Sequence, residues 1–259
     1  MKRDERRQAI MDLLVEQGSV DLEDLAQRFA VSKMTVHRDL DDLEGAGVLR
    51  KVRGGASMEP NTQFESDFRF RERQGAAAKR RMARAALDCI EPGMTVIIND
   101  GSMAAVLGGL LPEKRPLTVI TNNLAVIDAL KAEPGITLIA LGGVYSAKFN
   151  GFFGIVTEES LASLRADIAF ISTPALAGLR CFHMDPDVVR TKRLMMEAAE
   201  RSCLLVNHQR FGRTALHVLS GLEAFSRIIT DAAPEPDLTR DLDGAGLPLT
   251  IAPQEDAEP

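Results

Sequence analysis

The strongest constraint on the fold of this chain is a pair of short helical segments separated by a break of two residues. Residues 22–29 carry apolar side chains on one helical face, two residues interrupt the pattern, and residues 32–40 begin the second segment. Asp21 and Ser32 directly precede the two segments, and both residue types cap helix N-termini by accepting backbone N–H groups. The sequence therefore predicts two helices joined by a tight turn.

The second helix has one apolar face and one open face. Spacings of four and three residues place a buried stripe on it, formed by Val36, Leu40 and Leu43. The side chains near its start point away from this stripe or to its flanks, and they are Lys33, Met34, Thr35, His37 and Arg38. The start of such a helix is the part that meets base edges in helix-turn-helix proteins. We therefore predict a DNA-recognition helix, in which Arg38 reaches a guanine edge or a phosphate.

A basic ribbon follows the recognition helix and supports this interpretation. Its cations are Arg50, Lys51 and Arg53, and two glycines end it. We expect Val48, Leu49 and Val52 to pair as a short hairpin, which leaves the cations for phosphates or a minor groove. Four carboxylates further along the recognition helix oppose DNA contact, so that half either stays out of the groove or pairs with basic neighbours. The alternative is a three-helix bundle whose charges are only solvated.

Composition limits where DNA could bind. The chain has 259 residues with 31 basic and 37 acidic side chains, a formal net charge of −6. This balance excludes a uniformly basic surface, so DNA contact must come from a local patch. The basic start lacks the apolar segment of a signal peptide, and no apolar run reaches the ~18 residues of a membrane helix. We expect a cytoplasmic protein with no membrane association.

The three cysteines, Cys89, Cys181 and Cys203, are odd in number and far apart. They fit neither a disulfide framework nor a zinc site, so we expect reduced, partly buried thiols. His183 and His208 are isolated, and no nucleotide-binding or Ser-His-Asp pattern is found. The sequence therefore predicts no metal, no cofactor and no catalytic residues.

From Ala76 onward, apolar strands alternate with amphipathic helices. The predicted strands are 95–98, 117–121, 137–141, 168–172, 204–206 and 228–230, with a further edge strand in 247–252. The predicted helices are 77–90, 104–111, 124–132, 158–164 and 188–201. Alternation of this kind is typical of a mainly parallel sheet covered on both faces, whose ligands lie beyond the carboxyl ends of the strands.

Polar loops follow the first three strands, so a pocket is predicted at that edge of the sheet. The candidate effector-binding residues there are Asn99, Asp100, Gly101, Ser102, Thr121, Asn122, Gly142 and Gly143. Glycine lets the backbone approach a ligand, and a helix N-terminus can hold an anion. Lys192 and Arg210, in later segments, could supply positive charge for a phosphate. A helix cap or a tight turn explains each loop alone equally well.

These patterns divide the chain into four parts. We predict an α/β protein with a winged helix-turn-helix domain in residues 1–58 and a linker in 59–75. A larger α/β effector-binding and oligomerisation domain occupies 76–252, and a disordered acidic tail occupies 253–259.

The first fifth of the chain resembles the DeoR-type winged helix-turn-helix. The matching residues are Arg6, Ile10, Leu14, Ser32, Thr35, Val36, Arg38, Asp39, Leu40, Leu49, Arg50, Gly54 and Gly55. Members of this family usually carry Arg where this chain has His37. That difference marks His37 as the residue that sets its operator preference apart.

The larger domain resembles the DeoR-family sensor domain, which is similar in fold to ribose-5-phosphate isomerase. The resemblance rests on residues 99–102, 121–123, 141–143, Gly154, 167–171, 192–193, 207–212 and 230–231. It implies that the domain binds a phosphorylated sugar or related metabolite and mediates oligomerisation. Asn99, Met103 and Asn207 stand where the family usually has Asp, Thr and Asp, and Arg210 replaces Lys, which implies an effector atypical for the family.

Together these features predict a regulator rather than an enzyme. We expect a metabolite-responsive repressor of a carbohydrate or polyol operon. Its partners would be double-stranded operator DNA, a phosphorylated sugar or polyol, and further copies of the same chain in a dimer or tetramer. The alternative is a sugar-phosphate isomerase-like enzyme with an appended DNA-binding domain. A third possibility is a structural DNA-binding protein without an effector, against which the full-sized α/β domain argues.

Overall fold

The N-terminal unit is built on three helices and a small antiparallel sheet. A computed structural model describes residues 3–45, 49–57 and 68–253, and the chain divides into two units between Gln74 and Gly75. The elements of the first unit are α1 (Arg3–Gln17), β1 (Ser19–Asp21), α2 (Leu22–Arg28), α3 (Lys33–Gly45), β2 (Arg50–Val52), β3 (Gly55–Ser57) and α4 (Phe68–Arg73).

The helix starts follow from the predicted caps. One carboxylate oxygen of Asp21 accepts the backbone N–H groups of Glu23 at 2.7 Å and Asp24 at 3.3 Å, and the Ser32 hydroxyl accepts that of Thr35 at 3.2 Å. The predicted apolar stripe of α3 is buried against the core side chains of α1 and α2. The predicted helix-turn-helix is therefore confirmed.

The pairing predicted for the basic ribbon is wrong. Strand β2 pairs with β3, and β3 pairs with β1, so the strand order is β1-β3-β2. Leu49 is buried just before β2, and Val48 lies outside the described residues. Strand β3 approaches β1 so closely that a Cβ atom on Gly55 would lie 2.0 Å from the Val20 carbonyl oxygen, so this position requires glycine. The turn of the wing falls at Arg53 and Gly54.

The C-terminal unit is centred on a parallel sheet. Its helices are α5 (Ala76–Leu87), α6 (Ser102–Leu110), α7 (Leu124–Leu130), α8 (Ile155–Ala162), α9 (Pro186–Glu197) and α10 (Pro236–Gly244). Its strands are β4 (Thr95–Ile98), β5 (Leu117–Thr121), β6 (Ile136–Ala140), β7 (Val144–Ser146), β8 (Gly151–Phe153), β9 (Ala166–Ser172), β10 (Ala175–Ala177), β11 (Arg180–His183), β12 (Ala199–Leu205), β13 (His217–Gly221), β14 (Arg227–Thr230) and β15 (Leu249–Ile251). Seven strands form the sheet in the order β15-β14-β12-β9-β4-β5-β6.

Alternate side chains of these strands fill two cores, one on each face of the sheet. Val96 and Ile98 pack with α5, α6 and α7, whereas Ile97 packs with α8, α9 and α10. Burial on both faces explains the uninterrupted apolar runs of the strands. The predicted α/β class, with a winged helix-turn-helix unit before a larger parallel-sheet unit, is confirmed.

Several elements of the C-terminal unit differ from the sequence prediction. Residues 199–201, predicted to continue a helix, begin β12, and α9 ends at Glu197. The β7–β8 hairpin, the small β10-β11-β13 sheet and α10 were not predicted. Most of the predicted linker and nearly all of the predicted acidic tail lie outside the described residues, although α4 occupies the end of the linker range.

Within the described ranges, the structure has no helix long and apolar enough to cross a bilayer. The same ranges contain no group of three or more His, Cys, Asp or Glu side chains that could hold a metal ion.

Candidate nucleic-acid interface and effector site

The start of α3 presents its predicted side chains on the surface of the N-terminal unit. Met34 is 61% exposed despite its apolar side chain, and Lys33 and Arg38 are exposed beside it. Thr35 and His37 are half-buried on the two flanks, and the Thr35 hydroxyl lies 2.9 Å from that of Ser32. An exposed methionine between two cations is suited to contact with bases and phosphates together.

Three of the four carboxylates of α3 pair with cations within the unit. Asp39 accepts from Arg6 at 2.5 Å and from Arg7 at 3.3 Å, and Asp42 pairs with Arg3 and Arg7. These contacts hold the second half of α3 against α1. Of the two predicted alternatives, pairing with basic neighbours is therefore found for Asp39 and Asp42.

Two of the predicted DNA-binding cations also have acidic partners. Lys33 lies 2.7 Å from Glu23, and Lys51 pairs with Asp41. By contrast, Arg38 and Arg53 have no ion-pair partner among the residues that the structure describes. Both are exposed, as is Arg50. Among the predicted DNA-binding cations, Arg38 and Arg53 are therefore two whose positive charge is not offset by an ion pair with a described carboxylate.

In the C-terminal unit, the loops after β4 and β5 interlock at one edge of the sheet. The side-chain amide of Asn123 donates to the carbonyls of Asn99 at 3.2 Å and Gly101 at 3.0 Å. The Thr121 hydroxyl donates to the Ile98 carbonyl at 2.7 Å. Asn123 also caps α7, so one side chain ties the start of that helix to the loop after β4.

A buried ion pair completes this edge of the sheet. Lys192, on α9, donates to the Ser172 carbonyl at 2.8 Å and lies 3.5 Å from the Asp100 carboxylate. Both charged side chains are at most 3% exposed. The structure therefore places Lys192 beside the loop after β4, with its charge paired with Asp100, and its predicted contact with an effector phosphate stays a prediction.

Arg210 lies elsewhere along the same edge. It is on the 3-10 helix His208–Arg210 that follows β12, and β9 separates β12 from β4. Asp231 fixes this segment, because it accepts from the Asn207 side chain at 2.9 Å and from the His208 backbone at 2.7 Å. The His208 ring nitrogen is also 2.8 Å from Asp231.

Two buried acceptors at the site have no hydrogen-bond donor among the described residues. They are the side-chain oxygens of Asn99 and Asn122. Their orientation is set by neighbouring acceptors, because the Asn99 amide nitrogen faces Asp100 at 3.4 Å and that of Asn122 donates to the Phe152 carbonyl at 2.9 Å. Such a group costs about 1–3 kcal/mol when it stays unsatisfied, so both oxygens are suited to accept from ligand hydroxyl groups. The start of α6 has no side-chain cap, and uncapped backbone N–H groups at a helix N-terminus can bind an anion.

The β7–β8 hairpin covers these loops and was missed by sequence reasoning. The Asn122 carbonyl accepts from the Phe152 backbone at 2.9 Å, and the Leu124 backbone donates to Asn150 at 3.0 Å. A Cβ atom on Gly151 would lie 3.4 Å from the Asp100 Cβ. The sequence signal for this hairpin was the pair of aromatic segments at Tyr145 and at residues 152–153. Each strand has only three residues, which is too short for a clear strand pattern.

Gly142 and Gly143 join β6 to this hairpin. The Thr157 hydroxyl, on α8, donates to the Gly142 carbonyl at 2.5 Å, and Gly143 has a φ of +132°. The two glycines therefore set the angle at which the hairpin crosses the strand ends.

Comparison with known proteins matches both units. The DeoR-like helix-turn-helix domain matches residues 6–62, and the DeoR C terminal sensor domain matches residues 74–232. The glycerol-3-phosphate regulon repressor of Escherichia coli is 28% identical over 235 residues, which cover 90% of this chain and 93% of that protein. The L-fucose operon activator of Haemophilus influenzae is 30% identical over 236 residues, covering 91% and 94%. Among solved structures, ribose 5-phosphate isomerase A of Methanocaldococcus jannaschii matches with a TM-score of 0.38 and 16% identity, over 51% of this chain and 53% of that one.

Proposed function

Because this chain belongs to the DeoR family of DNA-binding transcription regulators, we propose that it is a metabolite-responsive repressor of a carbohydrate or polyol operon. Family membership alone does not decide between repression and activation, because relatives named as a repressor and as an activator are both similar to the chain. Repression is therefore our proposal. The observation that supports operator recognition is the exposed, unneutralised Arg38 beside Met34 at the start of α3. The β2–β3 wing would contact phosphates through Arg53.

A dimer or tetramer would place paired α3 helices on repeated or palindromic half-sites. The effector would bind at the carboxyl ends of β4 and β5 and favour one arrangement of the oligomer. It can change operator affinity only by the difference between its affinities for the two arrangements.

The chemistry of the strand ends favours a phosphorylated sugar or polyol. Its hydroxyl groups would donate to the side-chain oxygens of Asn99 and Asn122, and its phosphate would accept from the backbone at Gly101 and Ser102. Lys192 would hold Asp100 as a charged acceptor within the same site. Arg210, beyond β12, would contact only a ligand that extends along the sheet edge.

We propose that the chain has no catalytic activity of its own. Isomerisation needs a base near the substrate carbonyl, and Asn99 and Asn207 have neutral side chains where the family pattern has acids. Conversion of a sugar phosphate in a coupled turnover assay would instead support an isomerase-like enzyme.

Operator binding can be tested at Arg38. We expect Arg38→Ala to weaken operator binding by about 1–3 kcal/mol and to relax the base preference at one position of each half-site. Arg53→Ala should weaken binding of all sequences alike and reduce the salt slope by about one. Fluorescence anisotropy with operator variants at several salt concentrations measures both effects. Arg240→Ala, which removes an exposed cation from the C-terminal unit, is the charge-matched control, and a loss equal to that of Arg38→Ala would exclude specific recognition by Arg38.

Effector control can be tested on the same complex. We expect one phosphorylated sugar or polyol to change operator affinity by about 5–150-fold, whereas its unphosphorylated form has a much smaller effect. Titration of a compound panel into operator-bound protein measures this change, and the thermal shift of the free protein reports binding independently. Metabolite control would be contradicted if a compound stabilises the protein but leaves operator affinity unchanged.

A further inference from the structure

The two lysines of the predicted DNA-contacting surface are held by carboxylates of the same unit. The Lys33 Nζ atom lies 2.7 Å from a carboxylate oxygen of Glu23, in the first turn of α2. The Lys51 Nζ atom pairs with Asp41 of α3, and the backbone N–H of Lys51 donates to the Glu44 carboxylate at 2.8 Å. Each of these lysines therefore has a carboxylate beside its positive charge.

The arginines of the same surface differ from the lysines. Arg38 and Arg53 are exposed and have no ion-pair partner among the residues that the structure describes. A guanidinium can bind a phosphate through two N–H groups in a fixed fork, whereas an ammonium acts as a point charge. Two cations suited to bidentate contact are thus open to DNA, while the cations that act through charge alone are paired.

The start of α2 offers a phosphate no compensating donors. Its first three backbone N–H groups are occupied, because Leu22 donates to the Gly54 carbonyl at 2.8 Å and both Glu23 and Asp24 donate to one oxygen of Asp21. The side chains of Glu23 and Asp24 are exposed on this turn. A phosphate that approaches this helix start therefore meets negative charge alone.

We propose that Glu23 and Asp41 are internal competitors of DNA phosphates, which occupy Lys33 and Lys51 and so weaken binding to the backbone of any DNA sequence. A lysine gains a phosphate contact only if its carboxylate partner is displaced or stays beside the phosphate, and both cost free energy. Sites of unrelated sequence outnumber operators in a genome, so weak backbone binding keeps the protein available for its operator. This inference rests on the proposed use of α3 and the wing in operator binding.

The salt dependence of binding to a DNA duplex of random sequence tests the inference in the full chain. The logarithm of the affinity falls linearly with the logarithm of the salt concentration, with a slope of about −0.9 for each phosphate contact. We expect Glu23→Gln to make this slope steeper by about 0.9, because Lys33 then gains a phosphate. Asp41→Asn should do the same through Lys51, and the double variant should add the two changes. Fluorescence anisotropy at several salt concentrations measures the slopes.

The neighbouring Asp24 supplies the matched control. It is exposed in the same turn as Glu23 but has no ion-pair partner in the part of the chain that the structure describes. Asp24→Asn changes the net charge by the same amount as Glu23→Gln, yet it releases no lysine and should leave the slope unchanged. Lys33→Ala in the Glu23→Gln background should return the slope to the wild-type value. The Glu23 side chain is 61% exposed, so its substitution should leave the unit folded.

The same measurements contain the results that would overturn the inference. It is wrong if Glu23→Gln and Asp24→Asn have equal slopes, or if the steeper slope of Glu23→Gln persists after Lys33→Ala is added. The proposed DNA-contacting surface is tested separately, since it is wrong if Arg53→Ala does not reduce the slope of the wild-type protein. A reduced slope in Arg53→Ala with an unchanged slope in Glu23→Gln would therefore reject the competition and keep the surface.

Discussion

The Asp39→Ala variant should lose about 3–5 kcal/mol of the free energy of unfolding of the N-terminal unit. Asp39 is 2% exposed and Arg6 is 8% exposed, so the substitution leaves a buried guanidinium without its partner. A small domain has a total stability of about 5–15 kcal/mol, so most of this margin would be lost. Operator binding should therefore fail at elevated temperature although no DNA-contacting residue has changed.

Hydrogen exchange of the α1 and α3 amides measures this loss in the full chain. Intrinsic fluorescence would not detect it, because the chain has no tryptophan and its single tyrosine, Tyr145, is in the C-terminal unit. The slowest amides of α1 and α3 report the free energy of opening of that unit directly. Amides of β4 and β9 serve as an internal reference that the substitution should leave unchanged.

Two further variants distinguish the contribution of the buried Arg6–Asp39 pair to the free energy of unfolding from that of the surface charges. Asp42→Ala removes a carboxylate that also pairs with arginines of α1 but is 45% exposed, and it should cost less than about 1 kcal/mol. Replacing Arg6 and Asp39 together with leucine should recover much of the loss, because neither charge is then buried alone. If Asp39→Ala and Asp42→Ala cost the same, the Arg6–Asp39 contact does not hold α3 against α1.

The elements that could be predicted from the sequence are those whose caps and apolar pattern lie within one short stretch of the chain. In α3 the caps, the apolar stripe and the open face all agree, and in β4 an uninterrupted apolar run marks a strand buried on both faces. The meeting of the loop after β4 with the loop after β5 was also predictable, because parallel strands end at the same edge of a sheet. No distant contact is needed for any of these inferences.

Predictions failed where a distant contact decides the local structure. Residues 199–201 continue the amphipathic spacing of α9, yet β12 begins there because the Ala198 carbonyl accepts from the Ala166 backbone of β9 at 2.9 Å. The β7–β8 hairpin has strands of three residues and is held by the loop at Asn122.

The Gly143→Ala variant should destabilise the C-terminal unit by about 2–6 kcal/mol. A φ of +132° is strained for any residue with a Cβ atom, at about 1–3 kcal/mol. The added Cβ would also lie 2.4 Å from the Thr157 hydroxyl and 2.5 Å from the Phe153 carbonyl, and such overpacking costs about 1–3 kcal/mol more. Since Phe153 contributes a backbone atom, the hairpin itself must move.

Tyr145 makes this change measurable. It lies on β7, its hydroxyl donates to Asn150 at 2.9 Å, and its ring centroid is 5.6 Å from that of Phe152. Urea unfolding followed by tyrosine fluorescence therefore reports the unit that holds the hairpin, without a signal from the N-terminal unit. A lowered midpoint with an altered native fluorescence would show that the turn at Gly143 positions the hairpin.

The neighbouring glycine is the matched control. A Cβ atom on Gly142 would meet only the Val156 side chain, at 3.9 Å, so Gly142→Ala should stay within about 1 kcal/mol of the wild type. Equal stabilities of the two variants would mean that the turn does not press against Thr157 and Phe153. The hairpin would then not be fixed over Asn122 and Asp100, and a ligand could reach the strand ends without displacing it. A large difference would mean that the turn at Gly143 fixes the hairpin over Asn122 and Asp100, so that a ligand bound at these strand ends, as we propose, would have to displace the hairpin.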